Sequence, residues 1–535
     1  MGPVFFVMMT PRMETKLTAT RQLAHELGAG GAWADARALW LRELAGMPES
    51  GDIMVELSYV ESHAGGYRKA LEWAERASRH LPVTEEGRLG LIRRLHTFNL
   101  SSALHAAAQG FLTDRGVSPT VLAECGRCLS LAGDFAMARR CIDAAIQHGQ
   151  ASEAISLLHA QLLVQEGASQ EAEDIFEGLL ARNPANAQAW WLLARLKSHT
   201  PERNHIARIF SALQVSGDDP HRVALLARAL HKEADDVGDR ALAWSALELM
   251  CRAKRRVEHY DPSEERRLLQ RLLDFPLDAI SAAADQGVVP IFIVGMHRSG
   301  TTLLEQMLAA SPQLSALGEL SDFPAALRYA ADCHARDIVD VNVLDRLFER
   351  HQTDVGSIYL GKVAWRLDGA RFFTDKQPGN YRVLGLICRA LPQAKVLHMV
   401  RHPLEVCFSN LREIFNGINA FSYDQAALAD HYLAYRKLMA HWHRIFPGRI
   451  LDVDYSDLVA DPERSLRRVS AFCGVQYVQE MADPRNSRRK AVATASTVQV
   501  RQRVIDQRVP KWKAYEPRLQ PLMDALRDGG CALEP

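Results

Sequence analysis

Trp33, Tyr67 and Phe135 fall in one column of a 34-residue register, in a chain where aromatic residues make up only 7%. Ala36, Ala70, Ala138 and Ala172 keep that register three residues later, with Leu104 at the remaining step, and Pro48, Pro82 and Pro184 form a third column. Each residue type suits a helix pair. A small residue lets two helices approach closely, an aromatic fills the space beside it, and proline ends the second helix because it cannot donate the next backbone bond. From about residue 20 to 270 the chain is rich in Ala and Leu, helically periodic, and broken by short Gly or Pro turns. Five units, the third (Ser101 to Gly116) degenerate, predict a stacked solenoid whose concave face can hold a peptide or a partner.

In period and columns this region resembles the tetratricopeptide repeats (TPR). A chain of 535 residues is too long for one core, so a second domain is expected. Lys plus Arg equals Asp plus Glu at 64 each, so no net field argues for nucleic acid or an anionic membrane, and any basic site must be local. Nine scattered cysteines suit a reducing compartment, and Cys125 with Cys128 lacks the second ligand pair of a zinc site, so helix packing is expected there. The apolar run Val4 to Met9 is too short to span a bilayer and has no basic lead, which makes a cytoplasmic enzyme without a membrane span the default, with Met8, Met9 or Met13 as alternative starts.

The pattern changes near Gln286. Val288 to Val294 reads as a buried parallel strand, and "GMHRSGTT", residues 295 to 302, follows it before a helical stretch. Gly295 and Gly300 let the backbone turn tightly so that N–H groups point inward, and the next helix adds the partial positive charge of its N-terminus. In a nucleoside-triphosphate loop a lysine follows the second glycine. Here Thr301 stands there, the positive charge is Arg298 inside the loop, and no strand-end aspartate is clearly placed to complete a magnesium site. A smaller phosphorylated group without a metal is the expectation. A second strand, Lys395 to Val400, runs into Arg401 and a helix opened by Pro403 that carries Ser409, and a third lies at Ile450 to Val453. Helices are expected at Tyr381 to Leu391, Pro403 to Ile414 and Pro462 to Cys473, giving an α/β fold with ligands at the carboxyl ends of its strands. Two phosphate sites on adjacent strands imply one ligand with phosphates at both ends, a requirement that a nucleotide phosphorylated at its 5′ and 3′ positions meets.

Residues 288 to 535 resemble the sulfotransferases that use 3′-phosphoadenosine 5′-phosphosulfate, especially bacterial TPR sulfotransferases and tyrosylprotein sulfotransferases. The carriers are "PIFIVGMHRSGTTLLEQMLAASP", "LGEL", "DKQPGNY", "MVRHPLEVCFSN", "ILDVDYSDLVADP" and "TASTVQVRQ". The resemblance implies that Arg298, Ser299, Gly300, Thr301 and Thr302 bind the 5′-phosphosulfate, and that Arg401 and Ser409 bind the 3′-phosphate. It makes Glu319 the base, Lys376 and Ser496 transition-state stabilisers, and Tyr455 a nucleotide contact, with no metal. His297 reads as part of the phosphate loop rather than a base. Relatives carry an arginine where this chain has Glu413, beside Arg412, and a lysine before a tryptophan that Lys511 and Trp512 match. The runs Arg488 to Lys490 and Lys254 to Arg256 read as solvated faces.

The expected architecture is a tail (1–19), an α-helical TPR solenoid (20–270), a linker (271–287) and an α/β P-loop-like sulfotransferase domain with a central parallel sheet (288–535). The expected function is sulfuryl transfer to a peptide, protein or small hydroxyl acceptor, possible targets including protein tyrosine, with the TPR groove binding acceptor or partner. The competing readings are a TPR scaffold with a vestigial nucleotide domain, and a P-loop kinase, which the missing lysine opposes.

Overall fold

The structure is a computed structural model that describes residues 11–149, 151–350, 353–415, 417, 419–488 and 510–533. The 34-residue register reappears as helix starts. Helices Trp33–Gly46, Tyr67–Arg79, Ser101–Thr113, Phe135–Gln147 and Ser169–Arg182 begin one period apart. Their partners Gly51–His63, Glu85–Thr97, Pro119–Leu131, Glu153–Glu166 and Ala187–Ala194 keep the same interval. The third unit is therefore a full helix pair, not a degenerate one: Leu104 fills the small-residue column and is as buried as its alanine counterparts. The column is small because the helices touch. Ile142 and the backbone oxygen of Ala138 press so closely on Gly126 that an added Cβ would lie 2.7 Å from Ile142 Cδ1 and 3.2 Å from that oxygen.

By its contacts the chain divides into two compact units, and the division falls inside helix Glu153–Glu166 rather than at the linker. The first unit contains residues 1–158, 321–336 and 342–365. Within it, Arg68 caps helix Asp322–Ala331: its Nε and Nη2 donate to the carbonyls of Tyr329 and Ala330 at 2.7 and 2.8 Å. Asp332, left-handed at φ 53°, accepts from the backbone N–H of Arg68 at 2.8 Å.

The second unit contains residues 159–320, 337–341 and 366–535, so helices and sheet share it. Its helices include α1 (Pro220–Val237), α2 (Arg240–Arg255) and α3 (Pro262–Leu273), and α1 and α2, at 18 and 16 residues, depart from the repeat period. The sheet comprises β1 (Val289–Val294), β2 (Leu314–Ala316), β3 (Phe372–Asp375), β4 (Lys395–Val400) and β5 (Ile450–Asp454), in the order β2-β3-β1-β4-β5. All pairs are parallel. β1 is central, which explains its uninterrupted apolar run: Ile291 to Val294 are fully buried, with cover on both faces. Three further helices position the site: α4 (Thr301–Leu308) after β1, α5 (Pro403–Leu411) after β4, and α6 (Gln425–Ile445). Two expected helices are shorter than the sequence suggests. Pro378–Tyr381 forms a 3₁₀ turn before helix Leu384–Ala390, and α5 stops at Leu411, where Glu413 turns in to accept from the backbone N–H of Ile414.

All nine cysteines are free and buried, and Cys125 and Cys128 lie on one packed helix. No helix among the described residues is long and apolar enough to cross a membrane. Ala138→Leu is expected to cost about 1–3 kcal/mol of stability through overpacking, read by urea denaturation, whereas an unchanged midpoint would refute the close-packed column.

Candidate active site

The loop of residues 295 to 302 turns on two glycines of positive φ. Gly295 (φ 151°) has no room for a side chain, since a Cβ would lie 2.8 Å from the carbonyl oxygen of Met399. Gly300 (φ 110°) caps α4, and a Cβ there would lie 2.5 Å from the Tyr455 ring. Arg298 also takes a left-handed backbone (φ 70°), a conformation that costs a non-glycine residue of order 1–3 kcal/mol and is tolerated where the surroundings impose it. Two of those surroundings are visible. Asn410 Nδ2 donates to the carbonyl of His297 at 2.6 Å, and Arg401 Nη1 donates to that of Arg298 at 3.2 Å.

The loop and the β4 end form one cluster. Arg298 Nε donates to Ser409 Oγ at 3.2 Å, and the Arg401 guanidinium lies over the Tyr455 ring at 4.1 Å while pairing with Glu405 at 2.7 Å. Tyr455 thus packs between the loop glycine and the strand-end arginine. Thr301 and Thr302 sit buried in the first turn of α4. The Ser299 hydroxyl is fully buried and has no hydrogen-bonding partner among the described residues. A buried hydroxyl without a partner is costly. Set in a glycine turn at a helix N-terminus, with Arg298 beside it, it fits a phosphate or sulfuryl oxygen.

Lys376 and Glu319 meet at the neighbouring strand ends. Lys376 Nζ lies 2.5 Å from Glu319 Oε1, and its backbone N–H donates to the carbonyl of Gly318 at 2.8 Å. The lysine side chain is fully buried, whereas that of Glu319 is 40% exposed. Beneath them lies a residue that sequence reasoning did not single out. Glu305 on α4 is buried, and its Oε1 accepts from the backbone N–H of Gly318 and from Thr374 Oγ1, both at 2.8 Å. One carboxylate oxygen therefore ties the loop helix to the segment carrying Glu319 and to the strand leading into Lys376.

His297 projects beside this pair, its ring edge-on to Phe415 at 5.6 Å. Burial pushes its imidazole down to about 4, although the Glu319 carboxylate works the other way. That favours a neutral imidazole near the loop. Asp375 closes β3 beside β1; it is fully buried and accepts from Asn380 Nδ2 at 3.3 Å. Lys511 Nζ lies 3.8 Å from Asp235 on α1. Trp512 stacks on His402 at 5.8 Å. Ser496 and the rest of "TASTVQVRQ" lie outside the described residues.

Glu305→Ala is expected to cost about 1–3 kcal/mol, because two donors lose a buried acceptor, while Glu305→Gln retains a carbonyl oxygen and costs less. Equal denaturation midpoints for Glu305→Ala and the unsubstituted protein would contradict this. The His297 resonances are expected to titrate near pH 4. Because the unfolded chain binds this proton from about 6.5, the contribution of His297 to stability is present above 6.5 and lost as pH falls through 6.5 to 4. An NMR inflection near 6.5 in the folded protein would show instead that the imidazole is not held neutral.

Residues 290–480 match the profile of the sulfotransferase family. An uncharacterized protein of Aquifex aeolicus (strain VF5) is 32% identical over 307 residues, covering 54% of this chain and 40% of the relative. A putative protein-tyrosine sulfotransferase of Caenorhabditis briggsae is 27% identical over 194 residues, 36% of this chain and 67% of its own. Protein-tyrosine sulfotransferase 2 of Gallus gallus is 26% identical over 196 residues, 35% of this chain and 51% of its own, so the chain spans about half of that relative and less of the Aquifex protein. Among solved structures, the sulfotransferase domain of the Synechococcus PCC 7002 olefin synthase is 20% identical and covers 47% of this chain and 98% of its own, with a TM-score of 0.31. The C-terminal part of a TPR repeat-containing protein of Cytophaga hutchinsonii is 12% identical and covers 44% and 95%, with a TM-score of 0.32. These low structural scores add no weight to the profile match. That match spans the glycine loop, the Lys376–Glu319 pair and the Arg401 strand end, so the likeness of residues 290–480 to the sulfotransferase family covers the whole of the described cluster.

Proposed function

We propose that the chain is a sulfotransferase that moves a sulfuryl group from 3′-phosphoadenosine 5′-phosphosulfate to a hydroxyl acceptor. The observation that carries this reading is the gathering of Arg298, Ser409 and Arg401 at two adjacent strand ends, with Lys376 paired to Glu319 at the next. A donor phosphorylated at both ends has a use for two anion sites, and sulfuryl transfer, like phosphoryl transfer, needs cations around spreading equatorial charge. In this reading the loop from Arg298 to Thr302 holds the 5′-phosphosulfate, while Arg401, Ser409 and Tyr455 hold the nucleotide's other end. Lys376 and Ser496 steady the transition state.

Glu319 is the base. Its Oε1 is held by Lys376, and Oε2, on a part-exposed side chain, has no partner among the described residues and can take the acceptor's proton. The protein-tyrosine names of two relatives support tyrosine as the acceptor, and the helical repeats, proposed as a domain over residues 20–270, support a peptide or protein acceptor or partner. A vestigial scaffold would have no use for a fully buried lysine aimed at a carboxylate.

Calorimetric titration with 3′-phosphoadenosine 5′-phosphate is expected to show binding, weakened by Arg401→Ala and Arg298→Ala, with none for ATP and magnesium. Binding of ATP alone would overturn the reading. Glu319→Gln is expected to lower turnover by about 100- to 10,000-fold, the usual worth of general-base catalysis, with the bisphosphate affinity largely kept.

A further inference from the structure

Three guanidinium groups act on one buried carboxylate next to the glycine loop. Glu413 is buried, and Arg228 Nη2 on α1 lies 4.0 Å from its Oε2. Burial works to raise the Glu413 carboxyl, but Arg195, Arg228 and Arg298 outweigh it and hold the group below its ordinary value, so it is ionised. Arg412, the preceding residue, belongs to the same field: burial pushes Arg228 down to about 10, Glu413 opposes that shift, and Arg412, Arg195 and Arg298 add to it.

Arg228 faces Glu413, and Arg412 faces Asp235. Asp235 accepts from Arg412 Nη1 at 3.4 Å but is shared with Arg240 and with Lys511 at 3.8 Å. Arg228 is more than nine-tenths buried, and its Nε–H, like that of Arg412, has no hydrogen-bonding partner among the described residues. Two buried guanidinium groups with unused donors are matched by a phosphate, which takes parallel N–H bonds and is negatively charged.

Which phosphate is meant follows from Ser409. It accepts from Arg298 and stands on α5 three residues before Arg412, about one helical turn away. Building on the donor reading above, we propose that Arg228 and Arg412 bind the 3′-phosphate of the donor nucleotide, so that α1 completes the site. Arg228 then supplies charge from a helix outside the matched residues 290–480. Glu413 serves as the counter-ion that holds Arg228 until phosphate arrives.

The test is calorimetry on the full chain with 3′-phosphoadenosine 5′-phosphate and with adenosine 5′-phosphate. Arg228→Ala is expected to weaken the bisphosphate about tenfold to a hundredfold, the worth of a charge-assisted hydrogen bond, and to leave the 5′-monophosphate unchanged. Equal weakening of both nucleotides, or of neither, would overturn the assignment. Glu413→Gln separates binding from folding: removing the competing carboxylate is expected to tighten the bisphosphate, whereas unchanged or weaker binding would mark Arg228 and Glu413 as a structural ion pair. This second variant decides the matter if Arg228→Ala does not fold. Failure of the unsubstituted protein to bind the bisphosphate would remove the donor reading itself, an outcome distinct from a normal affinity that Arg228→Ala leaves intact.

Discussion

The candidate site hangs on one buried oxygen. Glu305 Oε1 accepts from the backbone of Gly318 and the hydroxyl of Thr374, and so fixes the loop helix, the Glu319 segment and the Lys376 strand in a single arrangement. Inside a protein such a bond is hard to exchange for water, which makes the geometry stiff. A carboxylate and an ammonium group carried by segments that follow different strands keep a fixed separation only because of that stiffness.

The second constraint is electrostatic. Beside the glycine loop Arg298, Arg401, Arg412 and Arg228 gather positive charge from the loop, a strand end, a helix end and α1. Arginine suits this task better than lysine, since its planar fork keeps its charge when buried and meets phosphate oxygens in pairs. Glu413 and Asp235 keep the group together, and Tyr455 supplies a ring face for Arg401.

The repeats obey a simpler logic. A period of 34 residues survives as the spacing of helix starts because each pair must bury the same face against its neighbour, and the Ala36, Ala70, Ala138 and Ala172 column marks where backbones come close. The division into compact units ignores that period. Helices from His159 onward fall in the same compact unit as the sheet, since folding groups segments by the surface they bury and not by their pattern.

The sequence alone determined the helix-pair register, the strands β1, β4 and β5, and the glycine turn, because each has a local cause: periodicity, a doubly buried apolar run, or a backbone that needs glycine. The same local reasoning placed Arg298, Arg401 and Ser409. It missed β2 and β3, whose three and four residues are too short to show a period, and with them the aspartate at the end of β3. Glu305 looked like an ordinary helix glutamate, and Arg228 one of many arginines in a helical stretch. Only tertiary structure gave them partners, since a buried acceptor and a shared charge are made between segments 13 to 185 residues apart, where no local pattern reaches.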